Sequence, residues 1–103
     1  FSLPGFNQII SKAALDAFTR NLAVEFGGNH VLVNSILPGF VDTKLTRKNL
    51  SDDRISEIIE DTPINRLVDV ADVAKIAYFL GSQKNQSITG QSIVIDGGYS
   101  ISR

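Results

Sequence analysis

Apolar residues recur at every fourth position near the start of the chain. They are Ile10, Ala14, Phe18, Leu22 and Phe26. This spacing places them on one face of a helix, and the following pair Gly27-Gly28 is a typical stop signal. The pattern therefore predicts a helix from about Gln8 to Phe26. Its mixture of small alanines and large side chains predicts close packing against another helix or a sheet.

Two short apolar runs predict β-strands. The first, Val31–Leu37, is rich in β-branched residues and is followed by Pro38-Gly39, which breaks it. The second, Ser92–Ile95, is closed by Asp96-Gly97-Gly98. A strand as apolar as the first is typical of parallel sheets, in which helices cover both faces. We expect residues 31–37 to be buried on both sides.

The segment between the strands predicts further helices. Three basic residues in 43–50 and the N-cap signal at Ser51 indicate a helical lid, with its short second helix ending before Pro63. Asp69 is placed to cap another helix, which Gly81 ends.

The order helix, strand, helix, helix, strand predicts an α/β fold with a parallel pair of strands in a single domain, residues 1–103. Two strands alone leave each strand with an unpaired edge. The first strand is too apolar to expose such an edge to water. We therefore expect another part of a longer protein, or another subunit, to pair with it.

Composition excludes several functional classes. Ten basic residues balance eleven acidic ones, which gives no electrostatic reason to expect nucleic acid or anionic lipid as a partner. No apolar run approaches the ~20 residues of a membrane helix, and the first residues do not resemble a signal peptide, so we expect a cytoplasmic protein. The chain contains no cysteine and only one histidine, His30, so no metal site is predicted.

Three motifs carry a family resemblance. They are Ser11-Lys12-Ala13-Ala14-Leu15, Pro38-Gly39-Phe40-Val41-Asp42-Thr43 and Gly90-Gln91-Ser92-Ile93-Val94-Ile95-Asp96-Gly97-Gly98. The chain resembles the C-terminal portion of a short-chain dehydrogenase/reductase, a family of NAD(P)-dependent oxidoreductases. An unrelated α/β domain would require three coincidental matches in the correct order.

The resemblance implies the C-terminal part of a doubly wound, Rossmann-type parallel sheet. It also implies NAD or NADP as cofactor, a small alcohol or carbonyl substrate, and a homo-oligomer. Residues 44–63 correspond to the variable substrate lobe of the family. Its aliphatic side chains either line an apolar pocket or simply pack together; they are Leu45, Leu50, Ile55 and Ile58.

The loop after the first strand is the implied cofactor contact. In the family this segment packs against the nicotinamide, and the resemblance assigns that role to Pro38, Gly39, Val41 and Thr43. Pro38 and Gly39 turn the chain and let its backbone approach a ligand, while the Thr43 hydroxyl can donate to or accept from an amide. The alternative is an ordinary turn between a strand and a loop.

Lys12 is the implied catalytic residue. The family lysine binds the nicotinamide ribose and lowers the pKa of a catalytic tyrosine four residues earlier. That position holds Gln8, whose amide is not a proton donor at a useful pKa. Tyr78 and Tyr99 do not replace the tyrosine and are interpreted as structural or interfacial residues.

Two hypotheses follow from these motifs. The chain lacks the family's glycine-rich phosphate loop and its catalytic serine. It is either part of an oxidoreductase, not competent alone, or a non-catalytic relative that serves as a binding or oligomerisation module. The ending Asp96-Gly97-Gly98 resembles a segment that helps family subunits associate, although a simple turn explains the two glycines equally well.

Overall fold

The computed structural model describes the backbone of residues 6–102 and the side chains of residues 11–102. It has the predicted α/β architecture. The elements are α1 (Phe6–Phe26), β1 (Ser35–Pro38), α2 (Lys44–Asn49), α3 (Asp52–Asp61), α4 (Val70–Gly81) and β2 (Ser92–Ile95), with 3₁₀ turns at Gly27–Asn29 and Tyr99–Ile101. Among these helices, none combines the length and apolar character that a membrane span requires.

The chain divides into two compact units. The first takes the chain up to Ser35 together with Gln83–Ile93. The second takes Ile36–Ser82 together with the chain from Val94 onward. Each unit is described separately below.

Helix α1 dominates the first unit and ends where the sequence predicts. Phe26 is its last residue, and the turn through Gly27–Asn29 closes with His30 in the left-handed region, at φ 62°. The expected close packing of its apolar face is wrong for most of the side chains described. Only Thr19 and Ala23 are buried, whereas Phe18 is 60% exposed.

The predicted first strand is shorter than expected. Residues 31–34 form no regular ladder, and β1 covers only Ser35–Pro38. Side chains interrupt the ladder there. The Gly90 amide donates to the Val33 carbonyl at 2.6 Å, but the Val33 amide donates to Thr89 Oγ1 at 2.9 Å and Asn34 bonds to the backbone of residues 88 and 91. The prediction of burial on both faces is also wrong, since no residue of 31–38 is fully buried.

Strands β1 and β2 form a two-stranded parallel sheet in the described part of the chain. The Ser35 amide donates to the Gln91 carbonyl and the Gly39 amide to the Ile95 carbonyl, both at 2.9 Å. From the first of these bonds to the second, the residue number rises by four on each strand, so the two strands run in the same direction.

The second unit carries the apolar core. Ile55, Ile58 and Leu67 are buried together, with partly buried Phe40, Leu50, Ile59 and Tyr99 packed around them. The packing interpretation therefore holds for Ile55 and Ile58, while Leu45 is 65% exposed.

Two of the three helix N-caps in the second unit are the residues that the sequence predicts. Ser51 Oγ accepts from the Arg54 amide at 3.1 Å, and Asp69 Oδ1 accepts from the Ala71 amide at 2.9 Å. These bonds satisfy backbone N–H groups that lack a partner in the first turn of a helix. They confirm the starts of α3 and α4.

Candidate functional site

The loop Gly39–Thr43 begins where β1 ends. The Gly39 amide bonds to Ile95, and a Cβ atom at Gly39 would lie 2.6 Å from the Cβ and 3.0 Å from the Cα of Asp96. A side chain does not fit at such distances. Glycine is therefore required here for the loop to pass directly over the end of β2.

On its other side, the loop pairs with the short segment Leu67–Val68. The Asp42 amide donates to the Val68 carbonyl at 2.8 Å, and the Val68 amide donates to the Phe40 carbonyl at 2.9 Å. Together these bonds make a parallel bridge between Val41 and Val68. The pairing was not foreseen from the sequence, because two residues are too short a run to show a strand pattern.

The bridge leaves the backbone of Val41 available. The bridge uses the Phe40 carbonyl and the Asp42 amide. Backbone groups of successive residues in an extended chain point to opposite sides, so the N–H and C=O of Val41 point away from Val68. Within residues 6–102, the Val41 amide donates no hydrogen bond. Val41 thus offers one donor and one acceptor on the same side of one residue, an arrangement that complements a ligand carboxamide.

Thr43 serves first as a helix cap. Its Oγ1 accepts from the Thr46 amide at 3.1 Å and lies 3.0 Å from Thr46 Oγ1. The family resemblance predicts a ligand contact for this hydroxyl, and the cap was not predicted from the sequence. A hydroxyl oxygen has two lone pairs and one hydrogen, so capping uses only part of its hydrogen-bonding capacity.

An ion pair follows directly after Val41. Arg47 reaches back from α2 to Asp42 with Nε to Oδ1 at 2.7 Å and Nη2 to Oδ2 at 3.1 Å. This two-point hydrogen bond lowers the pKa of Asp42 and raises that of Arg47. Both side chains are about half exposed, so the pair sets the position of α2 more than it adds stability.

Both residues line an open groove of about 300 Å³ in the second unit. Its remaining walls come from Ile59, Arg66, Leu67 and Asp69. Arg66 Nη1 donates to the Leu67 carbonyl at 3.2 Å, and Nη2 lies 3.8 Å from Asp72. Each arginine therefore already has acceptors, and the groove carries balanced charge.

Lys12 lies in the first unit, on α1, with an exposed side chain. The Gln8 side chain is outside the described residues. The helix is continuous from Phe6 to Phe26, so positions 8 and 12 are one turn apart on the same helical face. Pro38, Gly39, Val41 and Thr43 all belong to the second unit, where the structure brings them together.

Comparison with known proteins identifies the family of this chain. A family model described as enoyl-(acyl carrier protein) reductase matches residues 7–100. A curated relative, the 3-oxoacyl-[acyl-carrier-protein] reductase of Chlamydia pneumoniae, is 38% identical over 92 residues, which are 89% of this chain and 37% of the reductase. The chain belongs to the short-chain dehydrogenase/reductase family. It thus spans about 37% of the length of that curated relative.

Solved structures support the family assignment at the level of the fold. A short chain dehydrogenase family protein from Francisella tularensis superposes with a TM-score of 0.83 at 31% identity, over 98% of this chain and 46% of that protein. ElxO with NADP bound superposes with a TM-score of 0.77 at 34% identity, over 87% of this chain and 37% of ElxO. 4-Hydroxyisoleucine dehydrogenase complexed with NADH superposes with a TM-score of 0.80 at 34% identity, over 90% of this chain and 39% of the dehydrogenase.

The residues of this short-chain dehydrogenase/reductase chain fit one end of a dinucleotide. The N–H and C=O of Val41, which the bridge does not use, are complementary to the C=O and NH₂ of a carboxamide, the group that the nicotinamide end carries. A glycine-rich turn for the pyrophosphate is not present in the 103-residue sequence, because Gly27-Gly28 follows a helix and Gly97-Gly98 follows a strand.

Proposed function

We propose that this chain forms the nicotinamide side of an NAD(P)-dependent oxidoreductase that transfers hydride between the cofactor and an alcohol or carbonyl substrate. The observation that carries the proposal is the Val41 backbone, whose amide donates to no described residue. The loop that contains Val41 follows the carboxyl end of β1, where ligands bind in open α/β sheets. The bound cofactor would supply the hydride chemistry.

Five residues would contribute to binding the cofactor. Gly39 allows the close approach, the Val41 backbone pairs with the carboxamide, and Thr43 adds its remaining hydroxyl capacity. Lys12 would hold the ribose by its ammonium group, which is the role that the family resemblance assigns to it. Pro38 ends β1 and directs the chain into the loop.

The proposal includes both cofactor forms. One structural relative is solved with NADP bound and another in complex with NADH. The residue that discriminates them follows an N-terminal strand of the family fold. A relative named as a 3-oxoacyl reductase and another named L-xylulose reductase support a ketone or secondary alcohol as the substrate class. A cytoplasmic location and self-association also remain proposals.

Gln8 gives a specific reason to propose that the chain alone does not complete the reaction. An amide cannot exchange a proton with the substrate oxygen, as the tyrosine phenol does in the family. The second candidate function is therefore a non-catalytic binding or oligomerisation module. Both candidate functions predict a loop like the one that contacts nicotinamide in the family, but only the oxidoreductase requires NAD or NADP to bind there.

The decisive experiment is a titration of the purified chain with NADH and with NADPH, followed by nicotinamide fluorescence. Saturable binding that Lys12→Ala weakens supports the oxidoreductase. The matched control is Lys75→Ala, which removes an exposed lysine from α4 and should change nothing. If neither nucleotide binds, the oxidoreductase proposal fails for this chain and the module remains.

A further inference from the structure

The residues after β2 form a tight turn, which we call the C-terminal turn and define as Asp96–Tyr99. The Asp96 carboxylate holds this turn closed, because Oδ1 accepts from the Gly98 amide at 2.9 Å and Oδ2 accepts from the Ser100 amide at 3.0 Å. The Tyr99 amide returns to the Asp96 carbonyl at 3.2 Å. Both carboxylate oxygens are thus used to shape the backbone.

Only glycine fits the middle of this turn. Gly97 and Gly98 have φ of +65° and +91°, in the left-handed region. A Cβ at Gly97 would lie 2.7 Å from Ile64 Cδ1, and one at Gly98 would lie 2.8 Å from Pro63 Cγ. The C-terminal turn therefore packs directly against the chain that follows α3.

The same turn also contacts the candidate loop. Asp96 lies against Gly39, as described above, and the Tyr99 ring meets the Phe40 ring edge-on, with 5.3 Å between centroids and 78° between planes. Gly39 and Phe40 are the two residues immediately before Val41. Such an edge-to-face contact fixes the position of both rings.

We propose that Asp96 and Tyr99 are positioning residues for the nicotinamide contact. By closing the C-terminal turn, the Asp96 carboxylate places Tyr99 against Phe40 and so holds the Val41 amide in the direction that the ligand needs. This inference rests on the proposed function. It assigns to Asp96-Gly97-Gly98 a role in the site of its own chain, beyond that of a simple turn.

Asp96→Asn isolates the carboxylate. The amide keeps one accepting oxygen but turns an NH₂ group toward a backbone N–H, which disrupts the turn at nearly unchanged size. Tyr99→Phe keeps the ring against Phe40, and Tyr99→Ala removes it. Asp53→Asn is the matched control, because it changes an exposed aspartate in the first turn of α3.

The test uses nicotinamide mononucleotide as the probe and backbone amide NMR as the readout. We expect the Val41 amide to shift on titration of the wild-type chain. Asp96→Asn and Tyr99→Ala should weaken binding by about fivefold or more, on the scale of one lost hydrogen bond. Tyr99→Phe and Asp53→Asn should bind as the wild type does.

Hydrogen exchange in the ligand-free variants separates positioning from general stability. Asp96→Asn should speed exchange at the Gly39 and Asp42 amides more than at amides of α4, at a temperature where urea titration shows every variant fully folded. Faster exchange with unchanged nucleotide affinity would mean a merely structural turn and would overturn the inference.

The two failures are distinguishable. If Val41 does not respond to the nucleotide in the wild-type chain, the proposed function fails and the positioning role falls with it. If the wild-type chain responds but Asp96→Asn binds equally well, only the positioning role is wrong.

Discussion

Asp42 and Arg47 show how one side-chain pair fixes a short helix beside the candidate loop. Hydrogen bonding to Arg47 lowers the Asp42 pKa below its ordinary value of 3.8. A carboxyl whose pKa is lower in the folded state stabilises the fold above its unfolded pKa, and this contribution disappears as the pH falls through the folded pKa. The relevant window lies below about pH 4.

We predict that Arg47→Gln raises the titration midpoint of the Asp42 carboxyl toward 3.8, measured by carboxyl carbon NMR. Lys48→Gln is the control, since Lys48 is the next basic residue on α2 and does not bond to Asp42. An equal rise in both variants would mean that helix charge, rather than the specific bond, lowers the pKa. Neither variant should change stability strongly at neutral pH.

Position 8 permits a second residue-scale prediction. In Gln8→Tyr, the introduced phenol lies one helical turn before Lys12, whose positive charge favours the ionised form. Its pKa should therefore fall below the ordinary ~10, as followed by NMR of the labelled ring. Adding Lys12→Ala should abolish the shift, whereas adding Lys75→Ala should not. A shift that survives Lys12→Ala would contradict the role assigned to this lysine.

At the scale of elements, α2 depends on its cap. Thr43→Val removes the oxygen that accepts from Thr46, and we expect a loss of about 1 kcal/mol in the free energy of unfolding. Thr43→Ser keeps that oxygen and should remain close to the wild type. Urea titration of the two variants measures the difference, and equal stabilities would show that the cap contributes nothing.

The glycines give a paired prediction. Gly97→Ala forces a side chain into occupied space at positive φ, so we expect destabilisation of about 1 kcal/mol or more. Gly81→Ala is the matched control, because outside its own neighbours and helix backbone no described atom lies within 4 Å of its added Cβ, and Gly81 is the last residue of α4. Thermal unfolding should show a lower midpoint only for Gly97→Ala.

The elements also show what sequence patterns can predict. The caps at Ser51 and Asp69 were correct because capping depends on a few adjacent residues. Residues 31–34 were wrongly assigned to a strand, since β-branched composition does not reveal whether a neighbour offers a ladder. The Val41 bridge depends on Val68, 27 positions away, which no local pattern contains.

At the scale of the whole molecule, the fold class could be predicted from the order of helices and strands, but the burial of individual side chains could not. Apolar side chains on two helices are exposed, among them Phe18 at 60% and Tyr78 at 76%. A periodic pattern shows that a face is meant to be covered, not what covers it. The predicted partner for the open sheet edge remains a prediction.

This exposure predicts self-association. We expect sedimentation equilibrium of the isolated chain to give a mass above that of one copy. Phe18→Lys should lower the mass because it places a charge on the apolar face of α1. Glu25→Lys, which changes charge at another exposed position of that helix, should not. A single-copy mass for the wild-type chain at all concentrations would contradict the prediction.

The separation of the two strands along the chain has a kinetic consequence. Fifty-three residues lie between Pro38 and Ser92, so the sheet forms only after a long loop has closed. Local helical contacts need no such closure. During refolding we therefore expect amides of α3 and α4 to gain protection before the Gly39 amide. Substitutions in the C-terminal turn should then mainly speed unfolding and leave the refolding rate nearly unchanged.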